Sequence, residues 1–350
     1  MGRDEKIEKD ESRKIQFSGR SSYMVALPKR WIEEMGIRAG DRVMVRRQSD
    51  SSLLITSETK GAINREEAVI KVSRNESLGS LVRKLVSVYL IGHNIIYVKS
   101  EGGLTSAQRD AIKEAMKRYL IGTEVVADST DEMVMQVLLS YPELSVKNAL
   151  KRMFLIAASM HKDSIAALKK LSKDTAKGVI KTDDEVDRFG LYVIRQLNIA
   201  IENDGILKET GIAVRRDCLD YRLIVKSVER VADHASKIAE IVVMMEERLP
   251  ESIMSEIIQM SEFAINLFEE SGLAVFKGEY GTADKIVEKS KSIVELQKKL
   301  LPSEKKARSE FDNILPIIVE DIRRTAEYAS DIAEVVLNTS IKVTALEEKE

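Results

Sequence analysis

The sequence is poor in the residues that make covalent staples, thiolate metal sites and tight turns. Its 350 residues include one cysteine, Cys218. A single cysteine excludes an intramolecular disulfide framework and a cysteine-based zinc site. Only three histidines are present, His93, His161 and His234, too few for a histidine-rich metal centre. Proline (5), glycine (17) and aromatic residues (5%) are all scarce. Little Pro and Gly beside abundant Ala, Ile, Val, Glu and Lys fits a mainly α-helical chain. No run reaches the roughly 20 apolar residues of a membrane-spanning helix. The segment MGRDEKIEKDESRK is charged where a signal peptide has its apolar core, so a cytoplasmic placement is expected. No nucleophile–base pair stands out, so a protein that is not an enzyme is expected.

What is present divides the chain into modules. Hydrophobic residues make up 44% and charged residues 32%, enough for packed cores and for two or three domains. Residues 1–12 are a charged tail. Residues 13–60 read as strand, strand, short helix, strand, strand: Lys14–Phe17, Tyr23–Leu27, Lys29–Met35, Arg42–Arg47 and Leu53–Ile55. Pro28 suits a first helical position and Gly36 a helix stop. So small a unit buries little, and it is expected to dimerise. Residues 64–140 alternate strand and helix as a small α/β domain, with helices at Leu78–Ile91 and Ser106–Leu120. Tyr89-Leu90-Ile91-Gly92 and Tyr119-Leu120-Ile121-Gly122 end those helices alike, each with Gly as the left-handed cap.

Beyond Tyr141-Pro142 only helical periodicity remains. Six helices are predicted at about 145–172, 175–203, 212–248, 250–277, 281–301 and 308–340. Ile224, Val228, Val231, Ala235, Ile238, Val242 and Met245 step by four and three, the seam of an antiparallel bundle. Val231–Val242 matches Thr325–Val336 at an offset of 94 residues, about three helices with loops. The expected fold is therefore mainly α: two tandem three-helix bundles, residues 145–248 and 250–345, preceded by a small β domain and a small α/β domain.

The charge is uneven. The whole chain sums to −2, yet residues 12–48 hold nine positive side chains against three acids, net +6, leaving −8 elsewhere. Such a balance suits phosphate neutralisation along nucleic acid, or a solvated basic surface. Arg13-Lys14-Ile15-Gln16, Gly19-Arg20-Ser21-Ser22-Tyr23, Ala26-Leu27-Pro28-Lys29 and Ala39-Gly40-Asp41 resemble the SpoVT/AbrB DNA-binding domain. That resemblance implies swapped hairpins in an obligate dimer that presents basic residues to DNA. Its basic positions fall here on Arg13, Lys14 and Arg20, with Lys29 and Arg30 at the helix start as further DNA-binding candidates.

Two acidic pairs are the other candidate site. Asp183 and Asp187 share one helix face, as do Glu229 and Asp233 on another helix. Like charges so placed repel unless a cation intervenes, so the pairs suit either a solvated face or a hard or borderline metal. Thr182-Asp183-Asp184-Glu185 has the form of a capping box. Ala176, Val179, Asp183, Val186, Gly190, Val193 and Leu197 nevertheless keep the three-four step, which favours a helix running through Thr182.

Asp183-Asp184-Glu185-Val186-Asp187-Arg188 and Glu229-Arg230-Val231-Ala232-Asp233-His234-Ala235 resemble PhoU, over about residues 145–345. The resemblance implies two three-helix bundles with carboxylates holding divalent or trivalent metal ions such as Fe, Mn, Mg or Zn. It implies a cytoplasmic brake and sensor that links a phosphate ABC transporter ATPase or a sensor kinase to phosphate signalling. The combination with a SpoVT/AbrB-like unit resembles archaeal phosphate-uptake regulators and implies a homodimer bound to operator DNA. The alternative is an adaptor that docks on the transporter or kinase, with the N-terminal unit only dimerising. In the second repeat Arg323 replaces Glu229 and Glu327 replaces Asp233. Glu327 and Asp331 are four apart in another frame, so a second metal site is expected to be degraded or lost. His234 is expected to pack beside the first site rather than to ligate.

Overall fold

The computed structural model describes residues 11–19, 21–47, 52–57, 67–138, 144–301, 311 and 313–341. The chain divides into two compact units, residues 1–65 and 66–350.

The smaller unit has two antiparallel hairpins around a short helix. β1 (Gln16–Ser18) pairs with β2 (Ser22–Met24), and β3 (Val43–Arg47) with β4 (Leu53–Ser57). Between them lies α1 (Lys29–Glu34), entered at Pro28 and left through Gly36 at φ +68°. Among the described residues of this unit only Pro28 and Ile37 are buried. Phe17, Tyr23, Met24, Val45 and Leu53 all lie exposed. A fold with this little core is not stable by its own burial.

The larger unit begins with the α/β domain. β5 (Glu67–Lys71) leads through α2 (Leu78–Ile91) to β6 (Ile95–Lys99), parallel to β5. α3 (Ser106–Tyr119) follows, then the hairpin of β7 (Thr123–Asp128) and β8 (Glu132–Val137). The sheet order is β5-β6-β8-β7, with β8 antiparallel to both neighbours. One face packs Ile70, Ile96, Val98, Met133 and Met135 against Leu81, Leu85 and Ile112 of the two helices. Gly92 closes α2 at φ +119°, and a side chain there would strike Ile199. The second helix ends differently from the first. Its cap is Leu120 in extended conformation, and Gly122 takes its positive φ two residues later.

Helices fill the rest of the unit: α4 (Val146–Lys170), α5 (Lys173–Glu202), the short α6 (Asp204–Thr210) and α7 (Asp217–Met244) in the first repeat. The second repeat has α8 (Glu251–Lys277), α9 (Tyr280–Ser290), α10 (Ile293–Leu300) and α11 (Leu315–Ser340). The six-helix pattern holds with two refinements. α6 splits off ahead of α7, because Asn203 caps a new start by accepting from the Gly205 and Ile206 N–H groups. The helix predicted at 281–301 breaks into α9 and α10 at Lys291-Ser292. α5 runs unbroken through Thr182, whose hydroxyl donates back to Gly178 O at 2.9 Å rather than capping a start.

The repeats pack through α7 against α11 and α4 against α8. The matched alanines and isoleucines of the sequence repeat, Ala232, Ala235, Ile238, Ala326, Ala329 and Ile332, are all fully buried there. Gly272 leaves room for the Phe154 ring, which a Cβ would meet at 2.9 Å. Buried polar contacts cross the same boundary. His161 Nε2 lies 2.9 Å from Ser261 Oγ, and its Nδ1 lies 3.4 Å from Thr325 Oγ1. Burial pushes the His161 imidazolium down to about 4, so this histidine is neutral at ordinary pH.

Arg195 of α5 joins the helical body to the α/β domain. It is 2% exposed and donates to Tyr89 O, to Gly92 O at 2.9 Å and to Asn94 Oδ1 at 2.8 Å. Two of these acceptors are backbone carbonyls at the end of α2, Tyr89 O also taking the Gly92 N–H, and the third is the Asn94 side-chain amide. Asn198 Nδ2 adds a bond to Leu90 O at 2.7 Å, and Arg118 of α3 pairs with Asp184 of α5 at 2.6 Å. Arg195→Ala strands several buried carbonyls and is expected to cost about 2–4 kcal/mol. Amide exchange should then quicken across residues 67–138 while α8 and α11 keep their protection. Equal protection in both regions would contradict this role.

Candidate functional site

Helices α5 and α7 place the predicted carboxylates on facing surfaces of the first repeat. The three-four seam that buries Val186, Gly190 and Val193 on α5 and Val225 and Val228 on α7 leaves Asp183, Asp187 and Glu229 half-buried beside it. Gly190 faces α7 at this point: a Cβ there would lie 3.6 Å from Val225 and 3.9 Å from Glu229 Oε2, ordinary contact distances.

The acids act on one another. Burial first, then the charges of Asp187, Asp233, Asp184 and Glu229, push the Asp183 carboxyl up to about 7. Burial followed by Glu229 and Asp233 pushes Asp187 up to about 6, against a partial counter-effect of Lys226. Asp183 Oδ1 is buried without a hydrogen-bond partner among the described residues. Lys226 supplies an internal cation, pairing with Glu229. Asp184, the outlier of the string, turns away to Arg118. In the side-chain positions of this structure, no three His, Cys, Asp or Glu groups among the described residues converge as a metal-ligand set.

The second repeat has solved the same problem with arginine. Arg323, at the place of Glu229, pairs with Glu320 at 2.7 Å and with Glu327. Arg324 joins the same two acids at 3.0 and 3.1 Å. The Arg323 hydrogen bond holds the Glu320 carboxyl below its usual range. Asp331 stands apart from these pairs; burial, then Glu334 and Glu327, raise its carboxyl while Arg230 and Arg324 oppose.

His234 is not beside the first-repeat acids in its bonding. Its Nδ1 meets Asp321 Oδ1 of α11 at 2.6 Å, and its ring stacks on Tyr328. Asp321 is 4% exposed, and its second oxygen has no partner among the described residues. The contact sits between repeats, which a single-helix reading does not reveal. Arg195 is the other residue that sequence reasoning missed. Its signal was a second stripe, Tyr192, Arg195 and Asn198, on the side of α5 opposite the bundle seam.

In the small unit, Arg13 and Lys14 are exposed in the segment leading to β1, Arg13 pairing with Glu11. Lys29 and Arg30 reach Glu33 and Glu34 one turn along α1, at 3.6 and 2.7 Å. Arg20 lies outside the described residues.

Comparison with known proteins bears on both units. The PhoU domain model matches residues 150–242, which cover α5 and nearly all of α4 and α7. A model of MazE, the antidote-toxin recognition protein and bacterial antitoxin, matches residues 16–62. The chain is thus similar to a PhoU domain over residues 150–242 and, ahead of it, to a MazE-like domain over residues 16–62. A curated relative, the phosphate-specific transport system accessory protein PhoU homolog of Borreliella burgdorferi, is 27% identical over 192 residues. The alignment spans 50% of this chain and 82% of that protein. Crystal structures of PhoU from Streptococcus pneumoniae and Pseudomonas aeruginosa align at TM-scores of 0.47 and 0.48, with 18% and 19% identity. They cover 57% and 55% of this chain, and 96% and 93% of their own. Among the described residues no helix is long and apolar enough to cross a membrane.

The raised carboxyls of Asp183 and Asp187 set a pH dependence. Their protonated forms are favoured in the folded state, so stability present at pH below about 4 is lost as pH rises through about 6 to 7. Asp183→Asn should remove the main part of this loss. With half-exposed groups and solvent screening, the gain at pH 8 in chelator-treated protein is on the order of 1 kcal/mol, fading in acid. Denaturant titrations at both pH values measure it, and an Asn variant less stable at pH 8 would refute it.

Proposed function

We propose that this chain regulates phosphate transport, with a metal-holding PhoU domain coupled to an N-terminal unit that dimerises and binds operator DNA. The carrying observation is the union in one chain of a match to a PhoU domain and a MazE/AbrB-like unit whose residues 12–48 sum to +6. The relative's role in a phosphate-specific transport system supports the physiological side. The exposed Phe17, Tyr23, Val45 and Leu53 of the small unit support dimerisation, since a second copy would supply the core it lacks. Arg13, Lys14 and Arg20 would meet phosphates, with Lys29 and Arg30 contributing less because Glu33 and Glu34 already neutralise them.

Asp183, Asp187, Glu229 and Asp233 would hold the metal. The donor set fits: all are carboxylates, Asp183 Oδ1 has no other partner among the described residues, and each added anion raises the energy of its neighbours. A bound cation would reverse that cost, and oxygen donors suit Mg, Mn or Fe, with Zn less favoured in the absence of nitrogen or sulfur ligands. Side-chain rotation is required for convergence. Glu327 and Asp331 would hold none, because Arg323 and Arg324 occupy that place. The metal would serve as the regulatory input, holding α5 against α7.

Two measurements test this. A dimer that engages six phosphates through Arg13, Lys14 and Arg20 should lose about a thousandfold in DNA affinity between roughly 50 and 200 mM salt. Affinity for DNA upstream of phosphate-transport genes that does not change with salt, or its absence, would refute the DNA-binding part. Metal analysis of the protein with Asp187→Asn and Asp233→Asn together should find the bound metal gone, and unchanged content would remove the assignment.

A second reading is an adaptor on a transporter ATPase or sensor kinase, whose small unit only dimerises. The pairing of Lys29 and Arg30 within α1 favours it. Deleting residues 1–60 separates the two: lost DNA binding with partner binding kept supports the regulator.

A further inference from the structure

The α/β domain has no part in the proposed regulation so far. The carboxyl ends of its parallel strands β5 and β6 open onto a groove of about 880 Å³. In open sheets this end is where loops diverge and ligands settle. Three segments wall it: the loop leaving β5, the loop leaving β6, and the entry to β8. Because the sheet order is β5-β6-β8, the groove has a charged direction. Lys71 and Arg74 stand at the β5 side, Asp131 at the β8 side, and Glu101 between them.

Other ionic groups of the groove are already spent. Lys99 pairs with Glu132 at 2.6 Å, and Glu76 with Lys84 at 2.7 Å. Lys71, Arg74, Glu101 and Asp131 are exposed and make no ion pair with another described residue. The walls are held in place without them. Ser100 N donates to Asp131 O at 2.9 Å, Leu104 N to Thr130 O at 3.1 Å, and Gln108 Nε2 to Ser73 O at 3.0 Å. These bonds tie all three segments together, so the charges are presented on a set frame and little ordering is left for a ligand to impose.

A phosphate-rich polyanion would meet Glu101 and Asp131, and a simple cation would meet Lys71 and Arg74. A small molecule bearing both charges meets neither obstacle. We propose that this groove binds a free α-amino acid, its carboxylate on Arg74 and Lys71 and its ammonium on Asp131 and Glu101. The remaining volume admits the ligand's side chain. The site is separate from the carboxylates of α5 and α7, and its test does not depend on them.

The test is thermal unfolding and calorimetry of the full chain with each proteinogenic amino acid at millimolar concentration, beside acetate and methylammonium. At least one amino acid should raise the melting temperature while acetate and methylammonium do not. Arg74→Ala and Asp131→Asn should each weaken that ligand by about tenfold or more, as loss of one charge-assisted contact requires. All four groups are exposed, so folding should survive; Lys71→Ala and Glu101→Gln serve if either variant proves unstable. The proposal is overturned if no amino acid binds, if acetate or methylammonium alone reproduces the effect, or if binding is undiminished in the variants.

Discussion

A buried guanidinium, that of Arg195, holds the two parts of the larger unit together. Arg195 enters the α/β domain at the carboxyl end of α2. Its bonds to Tyr89 O, Gly92 O and Asn94 Oδ1 are directional, so they fix an orientation as well as a contact. α5 thereby serves two partners. One side packs in the bundle seam, and the opposite side is the floor of the α/β domain. The acids Asp183 and Asp187 sit on this shared helix, about three and two turns from Arg195 and beside the Arg118–Asp184 pair. Movement of α5 against α7 would be felt directly by the α/β domain.

The two repeats show one packing scheme with opposite electrostatics. Alanines and isoleucines at matched positions build the same helix–helix contact in α7 and α11. Around that contact the first repeat gathers carboxylates whose charges oppose one another, and the second inserts Arg323 and Arg324 among Glu320 and Glu327. The second arrangement is complete in itself. The first is not, and its uncompensated carboxylates are raised toward neutral pH. On this shared scaffold, Arg323 in place of Glu229 and Glu327 in place of Asp233 turn mutual repulsion into ion pairing.

Helices and strands were legible where a period was carried by many residues. The three-four step of α7 and the 94-residue repeat gave the bundle, and α2 was readable to both ends. Contacts between distant segments were not. Nothing local marks Asp321 as the partner of His234, or Arg195 as the cap of α2, since each depends on chain separations of 87 and about 100 residues. The break between α9 and α10 was missed because Lys291-Ser292 holds no proline or glycine; the backbone there tightens, Ser292 N bonding Lys289 O and Glu295 N bonding Ser292 O. The acidic pairs were found by spacing; their half-burial and mutual repulsion, which give them chemistry, come from the packing of α5 against α7.

The small N-terminal unit has one more consequence. Only Pro28 and Ile37 are buried among its described residues, so whatever completes its core must come from another surface. If that surface belongs to a second chain, folding of this unit is a bimolecular event, and its stability has no value apart from concentration. Copy number then becomes an input: at low abundance the unit is an open chain exposed to proteases, and at high abundance it is an ordered module. The larger unit, with a core of its own, is insulated from that dependence.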